Sequence, residues 1–232
     1  MIVLITPTGG REKQIQLCAK WMKAQTCTEE VLWIVVDDCY PCTTDFIPVD
    51  FKENWTVVKV YPTPIWEVGQ NTQSRNLHAG LNAIPDKIDA SGIFIIEDDD
   101  YYKPKYLEIM TAMLEDYDLC GETNTFYFNP SFNAGNRCNN TKHSSLFQTA
   151  FTTKVIPEFK EILEQNKKFI DIELFKLDVK INLFTGLDLA VGIKGLPGRE
   201  GIGKGHRLSM YRTPNNIEIG LLIGKDAVAY TN

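Results

Sequence analysis

Hydrophobic residues along this chain fall into short unbroken runs, separated by stretches in which they recur every three or four positions. Ile2, Val3, Leu4 and Ile5 form the first run. Ile15, Cys18, Ala19 and Met22 then mark one face of a helix over about residues 11–25. Val31 to Val36 is the next run. Unbroken runs of this length read as strands buried on both faces, and strand, helix, strand in quick succession is a βαβ unit, which requires a parallel sheet. The alternation continues. A third strand is expected at Thr56 to Tyr61, closed by Pro62 and Pro64, and a polar stretch at 66–75 leads into a helix carrying Leu77, Leu81 and Ile84, with Asn71 or Thr72 as its cap. Ile93 to Ile96 is a further strand, and Pro104 suits the first turn of a helix bearing Leu107, Met110 and Leu114.

After residue 117 the pattern becomes mixed. Leu119 to Phe128 and Ser144 to Thr152 read as strands around a polar loop, helices are expected at 155–166, opened by Pro157, and at 170–178, and a strand at 189–193 runs into the glycine-rich stretch 195–205. The expected fold is therefore α/β, a Rossmann-like, mostly parallel central sheet flanked by helices, in a single compact domain with two halves, 1–117 and 118–232.

Composition narrows the class. With 232 residues, 44% of them hydrophobic, the chain can bury a substantial core. No apolar run approaches the ~20 residues of a membrane span, and the first residues enter a strand instead of a charged leader, so a cytoplasmic chain without a membrane partner is expected. The formal net charge of -6 gives no overall attraction to nucleic acid, so any such contact must be local. Cys39 and Cys42 form a CxxC, but no second pair exists and a loop containing Pro48 follows in place of a helix, which argues against both a zinc site and a redox pair. Asn54-Trp55-Thr56 and Asn139-Asn140-Thr141 match a glycosylation acceptor pattern that means little without a secretory signal.

Candidate chemistry concentrates where the run Ile93 to Ile96 stops, at Glu97, Asp98, Asp99 and Asp100. A parallel sheet gathers the carboxyl ends of its strands on the edge that faces the ligand crevice. The same edge would collect Thr6 to Arg11, Asp37 and Asp38, Gln70 to Asn76, and Lys194 to His206. Two carboxylates about 4 Å apart repel by about 4 kcal/mol at a partly buried edge, so a divalent cation is their natural neutraliser, and oxygen-only ligands favour Mg²⁺ or Mn²⁺. A solvated acidic turn is the alternative, and the buried strand before the acids weighs against it. Backbone amides and Arg11 at a helix start welcome an anion, Asp37 and Asp38 offer acceptors for a base or ribose, and Arg75 adds a cation. Together these parts suit a nucleoside diphosphate with its metal. Gly198 to Lys204 nearly spells a GxxxxGK phosphate loop, but Gly205 stands where Ser or Thr should hold Mg²⁺, so a phosphate-loop NTPase is rejected.

In order along the chain, PTGGR after the first strand, IVVDD at the second, SRN before a helix, and EDDD followed by YYKPKY resemble the family 2 glycosyltransferases of GT-A fold over roughly the first half. The stretch VGIKGLPGREGIGKGHR is similar to glycosyltransferase-like proteins of bacteriophages. The resemblance implies a GT-A-like fold with a nucleotide-sugar-binding half at 1–117 and an acceptor-binding half at 118–232. It further implies metal-dependent transfer of a sugar from a nucleoside-diphosphate sugar, a UDP-sugar first, to an acceptor hydroxyl. The phage likeness points to hydroxymethylpyrimidine in phage DNA as acceptor and to the host cytoplasm, with Arg137, Lys142, His143, Arg207 and Arg212 as a local basic patch. A glycan, a lipid-linked sugar or a protein hydroxyl are the other acceptors in view.

Carried over residue by residue, the resemblance implies donor contacts at Thr6, Pro7, Arg11, Asp37, Asp38 and Arg75, with Asp38 on the nucleoside. Asp98-Asp99-Asp100 would be the DxD element, Asp98 toward ribose and Asp98 and Asp100 on the metal, joined by His206. Lys194 and Arg199 would close over the diphosphate. Asp171, with Glu173 as second choice, matches the position of the base, but the family's usual Glu-Asp pair is absent, which leaves both the base and the stereochemistry open. Two rivals stand beside this reading. A nucleotidyltransferase would need a longer GxGTR-type loop than TPTGGRE, and a non-catalytic nucleotide-sugar binding module would keep the donor pocket without the base.

Overall fold

A computed structural model describes residues 1–196, 199 and 216–230 of the chain. Its first half runs β1 (Ile2–Thr8), α1 (Glu12–Lys23), β2 (Val31–Asp37), β3 (Trp55–Val60), α2 (Gln73–Asn82), β4 (Gly92–Ile95), β5 (Tyr101–Tyr102) and α3 (Tyr106–Leu114). The second half adds β6 (Leu119–Glu122), β7 (Phe126–Asn129), β8 (Ala134–Arg137), β9 (Thr149–Phe151), α4 (Ile156–Glu164), α5 (Ile170–Leu174), β10 (Ile181–Phe184), β11 (Ala190–Ile193), α6 (Asn216–Leu222) and a 3₁₀ segment, Gly224–Tyr230.

Seven strands form the main sheet in the order β10-β6-β9-β4-β1-β2-β3. Only β9 runs against its neighbours. β4, whose end carries the acids, is therefore the middle strand. Alternation along the buried strands feeds two cores. Ile2 and Leu4 face a core shared with α1, α3 and the second sheet, while Val3 and Ile5 face one shared with α2, α4 and α5. Helices thus cover both faces, as parallel strands require. Gly80 lets α2 lie directly on β1, since a Cβ there would meet Ile5 Cγ2 at 2.4 Å.

The smaller sheet, β5-β11-β7-β8, is where sequence expectation and structure part. Leu119 to Phe128 is not one strand. Thr123 donates to the Phe184 carbonyl and Asn124 turns with φ 55, a left-handed conformation that Asn tolerates, so β6 stays in the main sheet and β7 leaves for the small one. Of 144–152 only β9 is extended, after a 3₁₀ turn at Leu146–Gln148. The helix expected at 170–178 stops at Leu174, and α3 begins two residues after Pro104, whose carbonyl receives the Thr26 amide. β8, β10 and the carboxyl-terminal elements were not expected at all. The last of these docks through Tyr230, whose hydroxyl accepts from Trp21 Nε1 at 2.6 Å. Among the described residues no helix is long and apolar enough to cross a membrane.

Candidate active site

The carboxyl ends of β1 and β4 meet at a cleft of about 510 Å³. Pro7, Thr8 and Arg11 form one wall, Trp66 and residues 68–71 with Gln73 and Asn76 of α2 the opposite one, Glu97, Asp98 and Asp99 the floor, and Lys194 and Arg199 the remaining side. Of the stretches expected on this edge, Thr6 to Arg11, Gln70 to Asn76 and the acid run contribute lining residues, as do Lys194 and Arg199, whereas Asp37 and Asp38 do not line the cleft and residues 200–206 lie outside the described residues.

The acids do not behave as one group. Asp98 receives the Thr8 hydroxyl at 2.7 Å and an Arg11 ion pair at 3.0 Å, while Arg11 also reaches Asp99 at 2.6 Å. Asp100 turns inward: its Oδ1 accepts the Ile193 amide at 2.7 Å and lies 4.0 Å from Lys194 Nζ, while its buried Oδ2 has no partner. Glu97 accepts from Gln73 Nε2 at 2.7 Å. One oxygen each from Glu97, Asp99 and Asp100 lie within 4.8 Å of one another. Ligand oxygens around Mg²⁺ at about 2.1 Å stand about 3 to 4 Å apart, so a small contraction would close this set on an ion. The unpartnered Asp100 Oδ2 and the oxygen-only donors both fit a hard divalent cation. Among the described residues the metal-competent trio is thus Glu97, Asp99 and Asp100, whereas Asp98 is engaged by Thr8 and Arg11, and His206 lies outside the described residues.

Burial dominates the electrostatics. It pushes Glu97 up to about 7 and Asp98 up to about 6, and Asp100 well above the ordinary carboxylate value, in each case against a nearby cation. Asp99 feels the same burial, but Arg11 and Lys194 together hold it below its ordinary value. Lys194 is opposed by burial and still raised, because Asp100, Asp99 and Glu97 surround it.

Asp38 and Asp37 have opposite surroundings although they are neighbours. Asp38, buried, takes hydrogen bonds from Thr72 Oγ1, from Asn76 Nδ2 at 2.7 Å, from Arg75 at 3.1 Å and from Arg199 at 2.7 Å. Burial raises its pKa, and these donors, Arg199 first, more than offset that and leave it lowered. Arg199 also bonds Thr72 and lies 4.6 Å from the Trp66 ring centroid, a cation–π contact. The arrangement depends on Gly9 (φ 152), where a Cβ would stand 2.0 Å from Asp38 Oδ1. Asp37 points the other way and accepts from the amides of Cys39 and Thr43 and the hydroxyls of Thr43 and Thr44, which fixes the 39–44 loop outside the cleft. Thr6 is fully buried, its hydroxyl accepting from Trp33 Nε1 at 2.9 Å, and lies beneath the cleft. Thr72 does sit at the start of α2, but its hydroxyl serves Asp38 and makes no cap bond.

The expected base residues lie on α5. Because β9 is antiparallel, α4 runs back toward the ligand edge, where Glu164 comes within 3.5 Å of His78 of α2, and α5 follows. Asp171 stands in the first turn of α5, 3.9 Å from His143 Nε2, and does not line the cleft. Burial raises its pKa although His143 lowers it. Glu173 is clasped by Lys167 at 2.9 Å and Lys176 at 2.8 Å. Thr8, Gln73, Asn76 and Glu97 fall in stretches that the sequence placed on the rim but were given no individual role there, and Trp66 was not placed in the site. Glu97 belongs to the acid run itself, and Trp66 is an aromatic in a polar loop before a rim helix, so both left a signal.

No protein-family model and no curated protein matches the sequence. Solved structures do match in fold. TarS 1-349 of S. aureus in complex with UDP aligns with TM-score 0.60 at 14% identity over 83% of this chain and 60% of that one. TarS 1-349 with UDP-GlcNAc aligns at 0.55, 15% identity, over 86% and 59%. The mannosyltransferase PcManGT of Pyrobaculum calidifontis, in complex with GDP-Man and Mn²⁺, aligns at 0.56, 13% identity, over 86% and 58%. The chain spans about three fifths of the length of these proteins. Its fold is the GT-A fold of glycosyltransferases.

Proposed function

We propose that this chain is a divalent-metal-dependent glycosyltransferase that moves a sugar from a nucleoside diphosphate, UDP first, to an acceptor hydroxyl. One observation carries the reading. Glu97, Asp99 and Asp100 converge at the end of the middle strand, with Asp100 Oδ2 unpartnered, beside a cleft walled by Arg11, Lys194 and Arg199. Support comes from the fold neighbours, which hold UDP, UDP-GlcNAc, or GDP-Man with Mn²⁺.

In this reading Glu97, Asp99 and Asp100 hold Mn²⁺ or Mg²⁺, which when bound stabilises the charge of the departing diphosphate. Arg11 and Lys194 add fixed positive charge beside the phosphates. Trp66 and Arg199 offer a flat cationic wall for the base, next to Asp38. As the acceptor oxygen bonds to the anomeric carbon, the bond from that carbon to the diphosphate oxygen breaks and its electron pair leaves with the diphosphate. Asp171, which stands outside the cleft lining, is the residue assigned to take the hydroxyl proton, and burial raises its pKa above the ordinary carboxylate value, which makes it a stronger base.

The acceptor reading, hydroxymethylpyrimidine in DNA, rests on the phage likeness. Of the basic patch, Arg137 is engaged by Asp188 and Glu218 and His143 faces Asp171, so Lys142 is the described residue left to meet a phosphate backbone. Labelled donor incubated with hydroxymethylated and unmodified DNA tests it, and equal incorporation or none in both removes it.

The donor is found without knowing the acceptor. A thermal-shift screen of UDP- and GDP-sugars, with Mn²⁺ and with chelator, should show one family raising the midpoint only with metal. Ligand at about a hundred times its Kd stabilises by about 2.7 kcal/mol. No shift with any nucleotide sugar overturns the proposal.

A further inference from the structure

We propose that Lys194 is the resident counter-cation of the acidic cluster, competing with the divalent ion for it and setting the charge the cluster presents. The inference rests on the metal reading above. Lys194 follows β11 directly, and its amide donates to the Phe128 carbonyl at 2.9 Å while the preceding amide, of Ile193, holds Asp100 Oδ1 at 2.7 Å. The same backbone therefore fixes both the lysine and the carboxylate it faces. Its Nζ lies 4.0 Å from Asp100 Oδ1 and 5.3 Å from the Tyr127 ring centroid, on a side chain only 13% exposed. At that separation the ammonium compensates Asp100 electrostatically without occupying its second oxygen, which stays buried and unpartnered. The Tyr127 face gives the ammonium somewhere to rest when an ion takes its place.

Charge counting shows what the lysine does. Four carboxylates, Glu97 to Asp100, stand against the two cations Arg11 and Lys194, which leaves two formal negative charges, the complement of a divalent ion. Arg11 is held by two close ion pairs, to Asp98 at 3.0 Å and Asp99 at 2.6 Å, whereas Lys194 stands 4.0 Å from Asp100, so Lys194 is the cation an incoming ion displaces. Removing it leaves three charges and an empty seat.

The test needs only Mn²⁺, the stripped protein and two variants. Mn²⁺ is titrated at low ionic strength and followed by the spin-resonance signal of the free ion. Lys194→Met keeps the stem and removes the charge, and should bind Mn²⁺ at least about tenfold more tightly than the unaltered chain. Lys194→Arg keeps the charge and should stay close to it. In chelator the methionine variant should melt below the unaltered chain, and saturating Mn²⁺ should close that gap, which a merely structural lysine would not allow. Mn²⁺ binding in Lys194→Met that is unchanged or weaker overturns the inference and leaves the metal reading standing. No Mn²⁺ uptake by any of the three chains overturns both.

Discussion

The two halves of the molecule bury carboxylates to similar depth and use them differently. In the second half Glu122 receives the amides of Leu187 and Leu189 at 2.8 Å, with Asp188 between them, and Asp188 in turn holds Arg137, which reaches on to Glu218. Glu122 thereby closes the loop before β11 onto the end of β6 through backbone amides. In the first half Asp38, Asp98 and Asp99 are matched by Arg75, Arg199 and Arg11, and Asp100 by Lys194, cations that arrive from distant segments, and three of them, Arg11, Lys194 and Arg199, line one cleft. Depth of burial does not separate structural acids from chemical ones. What separates them is whether the partners are backbone amides, which a ligand cannot displace, or side-chain cations and unfilled lone pairs, which it can.

The largest expected effect tests the cleft side of that contrast. Asp100→Asn retains an oxygen for the Ile193 amide and so keeps the local backbone, but it loses a ligand charge. Mn²⁺-dependent turnover of the nucleotide sugar should fall about 10³-fold, and the Mn²⁺-induced melting shift should vanish. Turnover that survives would place the chemistry elsewhere.

Asp171 sits at the boundary between the two kinds, in the second half, with backbone amides at the start of α5 and His143 at 3.9 Å as its partners. Asp171→Asn should lower turnover about 10²-fold or more while the thermal shift given by donor with Mn²⁺ is kept. Glu173→Gln, which removes only a charge clasped by two exposed lysines, should leave turnover unchanged. If both variants keep full turnover, the base is not on α5.

Glu122→Gln should act in the opposite sense. A carboxamide has one accepting oxygen where Glu122 uses two, so its NH2 group faces at least one of the three loop amides, and the variant should lose roughly 3 kcal/mol, a drop of about 6–12 °C in melting midpoint, with Mn²⁺ affinity unchanged. Loss of Mn²⁺ binding there would blur the contrast.

How much of this was legible follows from the same distinction. The runs Ile2 to Ile5 and Ile93 to Ile96 announce a parallel sheet, and chain order alone then brings Arg11, Asp38, Arg75 and the acid run to one edge. Which acid in a run faces the ion is not written there. Asp37 and Asp38 are adjacent on an alternating strand and point to opposite sides, and the turn at 97–100 sends Asp98 to Arg11 while Glu97, Asp99 and Asp100 converge. The second sheet was hidden for another reason. Strands of two to four residues carry too few positions for a period to show, and β7 is set apart from β6 only by the left-handed turn at Asn124.

The smallest expected effect is a pH dependence carried by the cleft acids alone. Glu97 rises from an ordinary 4.5 to about 7 and Asp98 from 3.8 to about 6, because burial penalises their charged forms. Between the ordinary and the raised value the folded chain holds more protons than the unfolded one, so their contribution to stability is whole below about pH 4 and falls as pH rises toward 7. In chelator the midpoint should therefore drop between about pH 4 and 7, by roughly 1–2 kcal/mol or a few degrees, since neighbouring acids share the protons. Saturating Mn²⁺ favours the ionised carboxylates, so it should remove the cleft acids' share of the drop, and its stabilising effect should grow with pH over the same range. Glu122 is also raised by burial, but no ion reaches it, so its share of the pH slope should be identical with and without Mn²⁺. Comparing the two melting profiles isolates the cleft. If the profiles run parallel across the range, Glu97 and Asp98 titrate independently of any metal, and the division between the two halves fails at its most sensitive point.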